Sequence, residues 1–184
     1  MDKWIKFHKE QTLYLPVGIP GSGKSTLARR LADQYRDLVV ICPDDLRTMI
    51  KAGDYGFSPQ NYESCIFKSV DALVEIWLKA GFSVYVDETN LNRLHRRSWL
   101  KIAQEHGVSS VVMIAFEPNV ESHWANRLKA DRGLSAEEWR EVCERMAKQI
   151  ELPVLGEFDS FNFKRVEIVA PPFLDIEEEF KGAN

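Results

Sequence analysis

The run Gly18-Ile19-Pro20-Gly21-Ser22-Gly23-Lys24-Ser25-Thr26 constrains this chain more than any other stretch. It has the form G-x-x-x-x-G-K-S and lies between an apolar segment suited to a strand, Thr12 to Val17, and a helical pattern, Ser25 to Tyr35. Strand, glycine-rich turn and helix in that order form a cradle for phosphate. Glycines let backbone N–H groups converge on phosphate oxygens without Cβ clashes, and the helix that follows aims its partial positive charge at the same point. The expectation is a bound nucleoside triphosphate held by Gly21, Ser22, Gly23, Lys24, Ser25 and Thr26, with Lys24 reaching the β- and γ-phosphates and the Ser25 hydroxyl ligating Mg²⁺.

The rest of the chain sets limits on what surrounds that loop. Its 184 residues suit one domain, read as a single unit with an N-terminal extension (1–11), a lid (about 127–135) and an acidic C-terminal tail (171–184). A formal net charge of −4 supplies no overall basic field for nucleic acid, although a local basic groove needs only well-placed Lys and Arg. Cys42, Cys65 and Cys143 are odd in number and lack C-x-x-C spacing, which points to reduced thiols rather than a disulfide framework or zinc site. With no signal-peptide pattern and no apolar run long enough for a bilayer, the expectation is a cytoplasmic protein without membrane contact.

Strand and helix patterns alternate along the chain. Strands are expected at Leu13 to Val17, Leu38 to Ile41, Phe82 to Val86, Val108 to Phe116 and Val166 to Val169. Between them lie helical patterns, including about Gln60 to Ala80 with Phe67, Val70, Val74, Trp77 and Leu78 on one apolar face, Leu94 to His106, Val120 to Lys129 and Ala136 to Gln149. The fold class predicted is α/β: a parallel five-stranded sheet with helices on both faces, the second strand covered on both sides, and a helical lid. Ligands of such sheets bind beyond the carboxyl ends of the strands, so the polar clusters after the first three strands should converge.

Two of those clusters supply chemistry that the phosphate loop lacks. Asp44 and Arg47 sit at i, i+3 on a helix start and share a face, so a carboxylate could take a proton from an acceptor hydroxyl while a guanidinium forks onto a phosphate. Asp87 and Glu88 end the third strand, where a carboxylate helps to hold Mg²⁺; which of the two does so is left open. Thr89, Asn90, Arg93, Arg96 and Arg97 follow, and their positive charge suits a phosphate-bearing substrate or simply a solvated face. The histidines, His95 among them, read as surface or packing residues. Arg127 and Arg132 bracket a polar segment that suits a lid bringing an arginine onto the transferring phosphoryl group.

Taken together, these residues resemble the polynucleotide 5′-kinase family, in particular the kinase half of phage-type polynucleotide kinase/phosphatase enzymes. The resemblance runs from about Leu13 to Pro153 and rests on the phosphate loop, Asp44-Asp45-Leu46-Arg47, Thr89-Asn90-Leu91-Asn92 with Arg96-Arg97 soon after, and Arg127 to Arg132 ahead of a helix. It implies the P-loop kinase fold, with ATP and Mg²⁺ as cofactors and transfer of the γ-phosphoryl group to a 5′-hydroxyl end of RNA or DNA. By that likeness Lys24 and Ser25 serve the phosphates and the metal, Asp44 is the general base, Arg47 holds the acceptor's 3′-phosphate, Arg127 lies beside the nucleotide and Arg132 is the lid arginine. Asp87, Glu88, Thr89, Asn90, Arg93 and Arg97 fall to the acceptor side. A kinase of small hydroxyl compounds on the same scaffold is the alternative, and a nucleotide-dependent switch a third reading.

Overall fold

The computed structural model describes residues 10–50, 60–129 and 133–170. Most of the expected N-terminal extension, the centre of the lid with Arg132, and the acidic tail lie outside them.

Strands β1 (Thr12–Val17), β2 (Leu38–Ile41), β3 (Ser83–Val86), β4 (Ser110–Ala115) and β5 (Arg165–Val169) form one parallel sheet in the order β2-β3-β1-β4-β5. Helices α1 (Lys24–Gln34), α2 (Pro43–Ile50), α3 (Gln60–Lys79), α4 (Arg93–Glu105), α5 (Val120–Arg127) and α6 (Ala136–Gln149) fill the intervals, with a 3₁₀ turn at Leu155–Phe158. This is the α/β P-loop kinase-like fold.

Strand periodicity explains how one apolar run serves two cores. Leu13 and Leu15 face α3 and α4, where they meet Ile66, Val70, Trp99 and Leu100; Tyr14 between them faces α1 with Ala28 and Leu31. β1 is buried at every position because it sits at the centre of the sheet and both its faces are covered. β2 departs from the expectation: it is an edge strand, and Val39 and Val40 are only half-buried. Phe67 departs too. Its spacing fits the buried stripe of α3, yet 41% of it is exposed, while Ile66 beside it packs into the core.

The loop after β3 is held with unusual rigidity. Asn90 adopts a left-handed φ of 46°, and its buried Nδ2 donates to the carbonyls of Pro16 (2.9 Å) and Val86 (3.4 Å). The Gly18 N–H donates to the Thr89 carbonyl at 3.0 Å, tying this loop to the phosphate loop. Arg96, expected on a basic face, is instead fully buried: it pairs with Glu157 through Nε (2.9 Å) and Nη2 (2.6 Å), and Nη1 donates to the carbonyls of Asn90 (2.9 Å) and Leu91 (3.2 Å). Removing one member of a buried ion pair leaves the other uncompensated, at a cost of about 3–5 kcal/mol. Glu157→Gln should therefore lower unfolding stability by an amount of that order in chemical denaturation; a loss well under about 1 kcal/mol would rule out the bracing role.

Candidate active site

A cavity of about 490 Å³ opens at the carboxyl ends of β1, β2 and β3, and its walls include Gly21, Lys24, Ser25, Asp44, Arg47, Asp87, Glu88 and Thr89. The three polar clusters expected to converge do share this space.

The phosphate loop is shaped for close approach. Gly21 (φ 80°) and Gly23 (φ 99°) hold left-handed conformations, and a Cβ at Gly21 would sit 1.9 Å from the His123 carbonyl of α5. Lys24 is 7% exposed, and its ammonium donates to the Ile19 carbonyl (2.8 Å) and Ser22 Oγ (3.2 Å). Burial pushes its pKa down to about 8, against the opposing pull of Asp87 and Asp44. Ser25 is exposed to the cavity and hydrogen-bonds the Asp87 side chain. Thr26 is exposed but is not among the cavity's lining residues.

Asp87 is buried, and desolvation raises its pKa while the Ser25 hydrogen bond and Lys24 lower it. A serine hydroxyl beside a carboxylate at the rim of a phosphate cradle is a donor set that suits Mg²⁺, which takes only one or two protein ligands and completes its shell with water and phosphate oxygens. No group of three or more His, Cys, Asp or Glu that could hold a metal ion occurs among the described residues. Glu88 also reaches the cavity. Its Oε2 lies 2.7 Å from His95 Nε2, and its buried Oε1 has no hydrogen-bond partner among the described residues. The hydrogen bond to Glu88 raises the His95 pKa, outweighing desolvation. His95, read from sequence as a packing residue, thus lines the site.

Pro43 opens α2 with a φ already suited to a helix, and Asp44 follows in its first turn. Arg47 Nη1 donates to Asp44 Oδ1 at 2.7 Å. Its Nε contacts both Glu63 carboxylate oxygens (3.0 and 3.2 Å), Nη2 adds a further bond to Glu63, and the guanidinium lies 5.7 Å from the centre of the Phe67 ring. At the end of α5, Arg127 lies 3.9 Å over the Trp139 ring, and α5 and α6 are joined by Trp124 Nε1 donating to the Ala136 carbonyl at 2.8 Å. Asn126 Nδ2 reaches the Gly21 carbonyl at 3.5 Å, so α5 rests on the phosphate loop.

Asn90, Arg93 and Arg97, also expected at the site, lie apart from the cavity. Asn90 is buried behind it as a main-chain clamp, Arg93 and Arg97 are exposed and absent from its walls, and the Arg97 guanidinium lies 5.5 Å from the centre of the Phe161 ring. Conversely, Glu63, Phe67, Trp139 and Arg145 line it without having been singled out as site residues. Trp139 and Arg145 could have been found: with Val142 they recur at threes on α6, the face opposite Arg127.

Comparison with known proteins adds to this geometry. A family model described as AAA domain matches residues 13–153. A curated relative, the transcription factor bHLH140 of Arabidopsis thaliana, is 29% identical over 80% of this chain and 15% of its own length. The L-seryl-tRNA(Sec) kinase of Methanococcus maripaludis is 28% identical over 58% of this chain and 41% of its own. Among solved structures, a chain of the Pnkp1/Rnl/Hen1 RNA repair complex superimposes with a TM-score of 0.65 at 25% identity, covering 86% of this chain and 49% of that one. The present chain therefore spans under half the length of either curated relative and about half of the structural one. No described helix is long and apolar enough to cross a membrane.

Proposed function

We propose that this chain, which belongs to the AAA domain family, is a P-loop kinase that transfers the γ-phosphoryl group of ATP to the 5′-hydroxyl end of a polynucleotide, RNA or DNA. The observation that carries this reading is the Asp44 carboxylate, which shares one cavity with Lys24 and Ser25 and is held by Arg47 at 2.7 Å. A carboxylate fixed by a guanidinium and facing a phosphate cradle suits the proton-accepting role toward an incoming alcohol. The likeness to a chain of an RNA repair complex supports a nucleic-acid acceptor.

In this reading the loop amides and Lys24 grip the triphosphate, and Arg127, flattened on Trp139, lies beside the nucleotide. Ser25 and Asp87 would hold Mg²⁺, which would neutralise charge on the triphosphate when bound. Asp44 orients the acceptor hydroxyl and takes its proton, and Arg47 holds the acceptor's 3′-phosphate. Glu88 and Thr89 border the acceptor space, and Arg132 from the lid would cover the transferring group and keep water out.

A second reading, a kinase of a small hydroxyl compound, is favoured by one observation: Arg47 already pairs with two carboxylates, Asp44 and Glu63. Labelled ATP offered with a 5′-hydroxyl oligonucleotide beside a panel of nucleosides and sugars separates the two. Label on the oligonucleotide end, falling steeply as salt rises, is the expected result. Label on a free nucleoside or sugar alone would overturn the polynucleotide assignment.

A further inference from the structure

We propose that Glu63 is a specificity-determining residue that competes with an acceptor phosphate for Arg47, making the acceptor site selective against ends that offer one phosphate and little else. The proposal rests on the reading of Arg47 as the acceptor-phosphate contact.

Glu63 occupies the side of the guanidinium best suited to a planar oxyanion. Nε lies 3.0 and 3.2 Å from its two oxygens, and Nη2 joins the same carboxylate, while Nη1 is turned to Asp44 at 2.7 Å. That fork is the arrangement in which arginine also binds phosphate, so the two ligands exclude one another. Arg47 and Glu63 are largely shielded, with 17% and 27% of their side chains exposed, and the low-dielectric setting strengthens the pair. Charge adds to the competition. Both Asp44 and Glu63 pair with Arg47, so a phosphate that approaches this guanidinium also meets two carboxylates.

The consequence concerns which acceptors succeed. A phosphate must displace a bidentate carboxylate, and a mononucleotide has few other contacts with which to offset that loss. A longer strand leaving the cavity can do so through exposed cations such as Arg93 and Arg97. Glu63 therefore grades acceptors by length, whereas Asp44 readies the hydroxyl of any of them.

Binding alone tests this, with the donor site saturated by a non-hydrolysable ATP analogue. Adenosine 3′-monophosphate and adenosine are titrated into the wild-type protein, Glu63→Gln, Arg47→Gln and the double variant, with Tm measured for each. Glu63→Gln should bind the 3′-monophosphate about tenfold more tightly, the scale of one charge-assisted hydrogen bond, and adenosine equally well. In the Arg47→Gln background the gain should vanish. A bridge that merely ties α2 to α3 would instead lower Tm and weaken both ligands alike, and that result overturns the proposal. So does an unchanged affinity, a gain that survives loss of Arg47, or no binding of the 3′-monophosphate to either form. Because no transfer is measured, a protein that labels no oligonucleotide end but shows the tenfold gain would defeat the polynucleotide reading and leave the role of Glu63 standing.

Discussion

Lys24→Ala is expected to reduce phosphoryl transfer by about 10²- to 10³-fold, the usual cost of removing one preorganised contact to charge that develops in the transition state. Its ammonium is buried and donates to the Ile19 carbonyl and Ser22 Oγ, with a pKa depressed to about 8 by desolvation. Phosphate oxygens would restore the charged form, so the pKa in the complex is higher than in the free protein. Between those two values binding must take up a proton. Titrating an ATP analogue near pH 8 in two buffers of different ionisation heat should reveal that uptake in the wild-type protein and its loss in Lys24→Ala. The alanine variant also leaves the Ile19 carbonyl without this donor, so Tm is needed beside activity: a variant that loses transfer only in proportion to unfolded protein would refute the electrostatic role. Proton uptake identical in both proteins would do the same.

What the sequence could reveal follows the range of the physical signal. The phosphate loop, the strand runs and the Asp44–Arg47 spacing are local, each set by residues a few positions apart, and the structure brings their side chains into one cavity. Arg96 was illegible for the opposite reason. Its spacing beside Arg97 is that of a solvated face, and only the Glu157 carboxylate, 61 residues away in sequence, makes its burial possible. His95 likewise carries no local mark of function; it lines the cavity because α4 begins directly after the loop that presents Glu88. Phe67 shows where periodicity misleads, since it fits the apolar stripe of α3 but faces the cavity, while Ile66 beside it takes the place in the core. Glu63 lies sixteen residues from Arg47 and on another helix, so neither charge pattern nor motif could pair them.

Asp44→Asn should lower transfer by about 10²- to 10⁴-fold, the range of general acid–base catalysis, while leaving ATP affinity within about twofold of wild type. The two outcomes separate because of where the carboxylate sits. Its contact is with Arg47, whereas the phosphate cradle is built from Gly21, Lys24 and Ser25. Asparagine keeps the shape and one oxygen able to accept from Arg47 Nη1, and Glu63 continues to hold the guanidinium, so the geometry of α2 should survive the exchange. What is removed is the capacity to take a proton. A loss of transfer well under about tenfold would move the base elsewhere, with Glu88 another carboxylate on the same cavity. Loss of ATP binding would show that Asp44 serves the donor, and the alcohol-activating role would then have to be abandoned. Arg47 sharpens the comparison. It touches the same carboxylate, so Arg47→Gln alters that contact without removing the Asp44 charge, and its effect should depend on whether the acceptor carries a 3′-phosphate, whereas that of Asp44→Asn should not.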